Sequence, residues 1–226
     1  MQKLFSPLLA LLLILSVCAC RSNKEELVLK GNEYFPLKTG VIRLYEIDSF
    51  IYNNYTGDID SFKRNFREEI KNFFVDNAGD TNYTVDLSYY NTVRVKWEVQ
   101  QSYVRKISGN YAVENIYNRP EVKLLFPISK YKTKGASYVW NLNMFNDGEG
   151  ANVKYTAVFT PFDNSRQAFN DCVKVEYQKP ETGVVNNIYE EVYAKNVGLV
   201  YRHIDRSDYL TQGKRGGYEI FVRLLP

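Results

Sequence analysis

Few side chains in this 226-residue sequence are suited to chemistry. There is one histidine, His203, and there are three cysteines, Cys18, Cys20 and Cys172. One imidazole and one thiol outside the N-terminal region cannot supply a zinc site of the usual nitrogen and sulfur ligands. Cys172 and His203 could form a nucleophile and base if the fold brought them together. Cys172 opens a run beside Val173, however, and reads as a small buried hydrophobe, while His203 reads as a half-buried residue of a strand. Carboxylates are more plentiful, and glycoside hydrolysis needs only two at a set separation. The adjacent candidates are Asp58 with Asp60, Glu68 with Glu69, and Glu190 with Glu191. Neighbours on a strand point to opposite faces, so neither Glu pair can enter one cleft as a pair. Asp58 and Asp60, beside Gly57, read as turn residues. Asp76, Asn77 and Asp80, or Asp147 and Glu149, offer oxygen ligands but lack the alternating spacing of a calcium loop. Neither a catalytic residue, a metal nor a cofactor is expected.

The remaining reactive group is the thiol of Cys20. Lys3 supplies a positive n-region, Leu8 to Leu15 an apolar run of signal-peptide length, and Ala19 the small residue beside a cleavage site. The apolar run is too short to span a bilayer. Val17-Cys18-Ala19-Cys20 therefore reads as the end of a lipoprotein signal, with residues 1–19 removed and Cys20 acylated. The box departs from the usual pattern at Val17 and Cys18, and the alternative ending at Cys18 fits worse. An ordinary secretory cut at the same bond is the other possibility. Two or three acyl chains, at about 0.8 kcal/mol per buried methylene, would hold the chain to a membrane. With Cys18 removed and Cys20 acylated, Cys172 has no disulfide partner.

Residues 20–32 are polar and weakly patterned, as a tether would be. About twelve flexible residues reach about 20 Å. Lys24-Glu25-Glu26 resembles an export signal that sends lipoproteins to the outer face of the outer membrane, and it equally suits a solvated linker. The net charge of +3 is spread along the chain with both signs mixed, which argues against nucleic acid as a partner. The one basic cluster, Lys130-Tyr131-Lys132-Thr133-Lys134, reads as a solvated loop that could meet headgroups or a sugar.

Residues 33–226 must then position whatever the protein uses. The 19 Tyr and 13 Phe of the full sequence suit twisted sheet better than helix. Apolar residues alternate at Tyr83, Val85, Leu87 and Tyr89, and the firmest alternation is Val93, Val95, Trp97 and Val99. It recurs at Val153, Tyr155, Ala157 and Phe159, at Val173, Val175 and Tyr177, and at Tyr218, Ile220, Val222 and Leu224. Half-wet strands belong to antiparallel sheets. Turns are expected at residues 76–80, 108–110, 147–150, 182–183 and 215–217. Phe62, Phe66, Ile70, Phe73 and Phe74 fall on one helical face, although four of them also share strand parity. The reading taken is a strand to about Glu68 and a helical turn from Glu69 to Phe74. The fold expected is all-β and mainly antiparallel: a single domain built as a curved sheet, half-barrel or barrel-like meander with at most one short helix.

Four phrases carry a resemblance. Tyr34-Phe35-Pro36-Leu37-Lys38-Thr39-Gly40, Leu125-Phe126-Pro127-Ile128 with Trp140-Asn141, Asp171-Cys172-Val173-Lys174-Val175, and Tyr193 to Tyr201 together resemble an uncharacterised family of cell-envelope lipoproteins from polysaccharide-degrading Gram-negative bacteria. In the last phrase Asn196 stands where Gly is expected, and Asn tolerates the same left-handed backbone. The resemblance implies outer-membrane anchoring and no particular activity. The function expected is a non-catalytic binding or scaffolding module with the membrane, and a glycan or envelope protein, as partners. If residues such as Tyr52, Tyr55, Tyr131 and Trp140 share an exposed rim, glycan or protein contact is the sharper expectation. A lipid or lipoprotein carrier would instead need an apolar, unfilled concave sheet. A polysaccharide hydrolase would need two inward carboxylates within about 10 Å of each other in a cleft.

Overall fold

The computed structural model describes residues 31–129, 139–143, 152–177, 185–209 and 215–226. A 3-10 turn (Asn32–Tyr34) leads into β1 (Ile42–Tyr52), β2 (Ile59–Val75), β3 (Thr81–Asn91), β4 (Lys96–Ser108), β5 (Tyr111–Ile116) and β6 (Arg119–Leu125). A second run follows: β7 (Val139–Asn141), β8 (Asn152–Asp163), β9 (Ala168–Tyr177), β10 (Val185–Ala194), β11 (Gly198–Tyr209) and β12 (Arg215–Leu224). Each run is an antiparallel meander. The two join where β1 pairs β12, giving one sheet in the order β6-β5-β4-β3-β2-β1-β12-β11-β10-β9-β8-β7.

The outer edges of that sheet meet. Glu121 bridges Asn143, the Val122 N–H donates to the Leu142 carbonyl at 2.7 Å, and the Trp140 indole N–H donates to the Val122 carbonyl at 2.8 Å. The sheet thus curls into a nearly closed barrel, which satisfies edge groups that would otherwise be open for pairing. The all-β expectation holds, and the 3-10 turn is the only helix among the described residues.

The helical turn expected at Glu69–Phe74 is instead part of β2. A bulge places Lys71 between the pairs Ile70↔Val85 and Asn72↔Thr84. That extra residue changes the apolar spacing from four, Phe66 to Ile70, to three, Ile70 to Phe73, and so mimics a helical face. The segment expected to be the firmest strand also differs. Residues 92–95 are a turn: the Asn91 side-chain oxygen accepts from the Val93 and Arg94 N–H groups, Val95 sits at φ 53°, and β4 begins at Lys96. In β8, irregularities after Tyr155 and Val158 bring Val158 rather than Ala157 and Phe159 to the core. The alternation holds in β3, at Val173 and Val175 in β9 and at Ile220, Val222 and Leu224 in β12, whereas Tyr218 is exposed.

The turns at residues 76–80 and 108–110 are hairpins, whereas residues 147–150 and 182–183 lie outside the described residues. Residues 215–217 lie inside β12, not in a turn. Gly217 is opposite Ser207 at φ 96°, and a Cβ there would come within 2.0 Å of the Arg206 carbonyl oxygen.

The four phrases that carry the resemblance gather at one end of the barrel. Tyr34 and Phe35 are buried against Phe126, Ile128, Val173 and Tyr193. The Tyr34 hydroxyl donates to Asp171, and the Asn196 N–H donates to the Glu33 carbonyl. Asn196, at φ 61°, keeps the left-handed turn between β10 and β11. This N-terminal end also carries the β2–β3, β4–β5 and β8–β9 turns. The opposite end carries the β1–β2, β3–β4 and β5–β6 turns.

Gly217→Ala should lose about 1–3 kcal/mol of stability in urea unfolding, since strain and a backbone clash combine there. Gly79→Ala, also at positive φ but with open space around it, should lose less.

Candidate functional site

Strand parity sends a set of charged residues inward. In β2, Glu68 shares parity with Phe66 and Ile70; in β4, Arg105 with Tyr103; in β10, Glu191 with Tyr189 and Tyr193. Three ladder pairs place opposite charges side by side: Arg43↔Glu68, Arg105↔Glu114 and Glu191↔Arg202. Arg105 grips Glu68 with two N–H groups at 2.7 and 2.8 Å and donates its Nε to Glu114 at 2.7 Å. Arg43 and the Tyr103 hydroxyl complete the shell of Glu68, at 3.2 and 2.7 Å. Across the barrel, Arg202 Nε and the Tyr193 hydroxyl each donate to Glu191 at 2.6 Å. Lys123 lies between the two groups, 3.8 Å from Glu114, 3.4 Å from Glu191 and 2.6 Å from Glu121. A void of about 10 Å³ beside Phe35, Arg43, Arg105 and Tyr193 has room for about one water.

Burial alone would raise the affinity of these carboxylates for protons. At Glu191 that effect is overturned by Arg202, Lys123 and the tyrosine hydroxyls, which bring its pKa to about 2. Burial is likewise outweighed at Glu68 by Arg105 and Arg43, and at Glu114 by Arg105, Lys123 and Arg202, so both are lowered. Glu114 and Glu191 share Lys123 and Arg202 and therefore come within the spacing a hydrolase pair would need. They are nevertheless sealed inside and held ionised, whereas a general acid must carry a proton.

The other sequence candidates are dispersed. Glu69 pairs with Arg67 and Lys71, and Glu190 with Lys174, each turned away from its buried neighbour. Asp58 and Asp60 are exposed beside the β1–β2 turn. Asp76 and Asp80 share Lys106, and Asp76 also closes its own turn through the Ala78 and Asp80 N–H groups. No metal-ligating cluster occurs among the described residues. Cys172 is buried opposite Ala194, where burial and Asp171 push its thiol up to about 11. His203 lies opposite Glu190 and Phe221, stacked on the Phe221 ring and 3.0 Å from Glu219. Of the described aromatics considered for a shared rim, Tyr55 is exposed, Trp140 is buried, and the Tyr52 hydroxyl is bound to Glu219. Cys20, Tyr131, residues 130–134, Asp147 and Glu149 lie outside the described residues.

A recess opens in the wall, at the end opposite the N-terminal turn. β2 and β3 are paired from Val75↔Thr81 to Phe66↔Tyr89, and their ladder stops there. The β1–β2 hairpin continues seven residue pairs further, from Asn65↔Glu46 to Ile59↔Tyr52, and β3–β4 continues to Asn91↔Lys96. A notch of about 720 Å³ separates the two projecting hairpins. Lys63, Arg64 and Asn65 line one side, Tyr89, Tyr90, Asn91 and Thr92 the other, with Glu46, Glu98 and Gln100 around them. Its volume falls in the range of ligand pockets. Sequence patterning missed it because no motif marks where two strands part. The bulge that frees Gln100, between Leu87↔Gln101 and Ser88↔Val99, is equally silent in the sequence.

Glu191→Ala should strand Lys123 and Arg202 inside the barrel and lose about 3–5 kcal/mol in chemical denaturation, whereas surface-facing Glu190→Ala should lose less than about 1 kcal/mol. The buried carboxylates bind protons more weakly folded than unfolded. Their stabilisation is therefore full above the unfolded value near 4.5 and is lost as pH falls toward about 2. Acid titration at fixed urea concentration should show unfolding across that window, and Glu191→Gln should flatten it.

No family model and no curated protein matches the chain. Among solved structures it is similar to a crystal structure of a protein provisionally designated a lipoprotein from Parabacteroides distasonis. The identity is 12%, the match covers 84% of this chain and 96% of that one, and the TM-score is 0.48.

Proposed function

We propose that this chain is a lipid-anchored, non-catalytic binding module of the cell envelope, moored by its N-terminal end and offering the opposite end to a ligand. The observation that carries this reading is the polarity of the barrel. The first described residue, Gly31, packs at one end against Ile128, and the notch opens at the other. Ten residues separate Gly31 from Cys20, and a flexible chain of that length would reach about 20 Å. An acylated Cys20 would therefore keep the N-terminal end near the membrane and the notch away from it.

The interior supports binding over the two rival activities. A lipid carrier works through an apolar hollow, and this concave face holds Glu68, Arg105, Glu114, Lys123 and Glu191 in mutual contact. A hydrolase of the two-carboxylate kind needs a proton on one acid and a path for substrate. These acids are ionised and enclosed. The signal at Cys20 and the Lys24-Glu25-Glu26 triplet support an outer-membrane address with the domain facing outward.

Cys20→Ser in the full-length chain should move the protein from the membrane fraction to the soluble fraction after an alkaline carbonate wash. Retention in membranes would overturn the mooring. Protease added to intact cells should remove the domain if it faces outward.

A further inference from the structure

We propose that the notch between the β1–β2 and β3–β4 hairpins is a binding site for a carboxylate-bearing oligosaccharide, with Arg64 as the residue that recognises the acid. This deepens the binding-module reading and rests on it. The argument turns on which polar groups around the notch are already engaged and which are not. Lys63 is held 2.7 Å from Glu46. Glu46 also takes Arg166. Glu98 accepts from Asn91 and Arg94, and the Asn91 oxygen closes its own turn. Those groups are committed to the protein.

Arg64, Asn65 and Gln100 are not. The Arg64 guanidinium lies over the Tyr89 ring, 5.1 Å from its centroid, and pairs with no carboxylate among the described residues. Stacking on the ring fixes the plane of the guanidinium while leaving its N–H fork available. A planar fork held this way matches a carboxylate, which can take two parallel hydrogen bonds. The side-chain amides of Asn65 and Gln100 likewise have no hydrogen-bond partner among the described residues. Gln100 sits at the bulge, without a cross-strand neighbour. Each amide offers a donor and an acceptor, as sugar hydroxyls require.

Tyr90 supplies the remaining element. The residue is 45% exposed and its ring is braced edge-on by Trp97 at 5.5 Å. Arg64 with Tyr89 flanks the gap on the inner face of the wall and Asn65 with Tyr90 on the outer face, so a short run of sugar rings carrying an acid would meet them by lying across the gap, in a recess of about 720 Å³. A peptide strand added to the free stretch of β2 fits less well, because Lys63 and Arg64 stand on that edge, and charges there discourage strand addition.

The test uses the full-length acylated protein in detergent and a panel of oligogalacturonate, oligosialate, the methyl ester of each, maltotetraose and hexaglutamate, followed by Trp97 fluorescence and calorimetry. Saturable binding of at least one carboxylated oligosaccharide is expected, at least tenfold tighter than its methyl ester and than hexaglutamate. Arg64→Ala should weaken it at least tenfold and Tyr90→Ala at least fivefold. Lys63→Ala, which removes a cation already paired, should change it less than threefold. Unchanged far-UV circular dichroism will show that the variants fold. Equal affinity for acid and ester, an indifferent Arg64→Ala, tighter binding of hexaglutamate, or no binding of either acidic oligosaccharide would overturn the proposal. Binding of maltotetraose or hexaglutamate alone would leave a binding module with a different ligand, and membrane retention of Cys20→Ser would bear on the mooring alone.

Discussion

A carboxylate taken out of water must meet a cation or lose its charge, and in this barrel that requirement ties together strands far apart in the chain. Arg43, Glu68, Arg105, Glu114, Lys123, Arg202 and Glu191 form a continuous path of contacts from β1 and β2 through β4, β5 and β6 to β10 and β11. Desolvating so many charges costs nearly as much as their attraction returns, so the path adds little net stability over an apolar filling. Its effect is on specificity. Three of its pairs are direct ladder partners, and a one-residue slip of β2 on β1, of β4 on β5 or of β10 on β11 would leave a charge buried and unmet. The N-terminal turn closes over this filling, with Phe35 under the Arg105 guanidinium at 5.7 Å and Tyr34 fully buried.

The same geometry separates the two ends. At the N-terminal end residues 31–41 are bonded to the barrel, through the Asn196 N–H to the Glu33 carbonyl and the Gly40 N–H to the Ile70 carbonyl, both at 2.7 Å. At the other end the β1–β2 and β3–β4 hairpins extend past the ladder they share, and the wall divides. The interior has spent nearly all its hydrogen-bonding capacity on itself, while the notch keeps Arg64, Asn65 and Gln100 uncommitted. That contrast points the functional reading outward from the sealed core to the rim.

Much of this was legible in the sequence. Period-two patterns gave an antiparallel sheet, strand parity showed that Glu68 and Glu69 or Glu190 and Glu191 must diverge, and Asn196 was correctly read as a left-handed turn residue. Where the reading failed, a single residue had shifted the phase. The bulge at Lys71 made a strand look helical, and those in β8 moved the core positions by one. At Val93 and Val95 the apolar alternation ran through a hairpin tip, because exposed turn residues can be apolar without consequence for parity.

The sequence by itself determined the chemistry that was scarce and the strand-forming character, since each depends on composition or on neighbours in the chain. Tertiary structure alone decided that Glu68, Glu114 and Glu191 are buried ion-pair partners. Their cations come from Arg43, Arg105, Lys123 and Arg202, the farthest of them, Arg202 from Glu114, 88 residues away in the chain. It also decided where β2 and β3 part, because a notch is set by which ladder ends first and no local pattern encodes that. The physical reason is the same in both cases: charge pairing and strand pairing are relations between distant residues, and only closure of the barrel brings them within range.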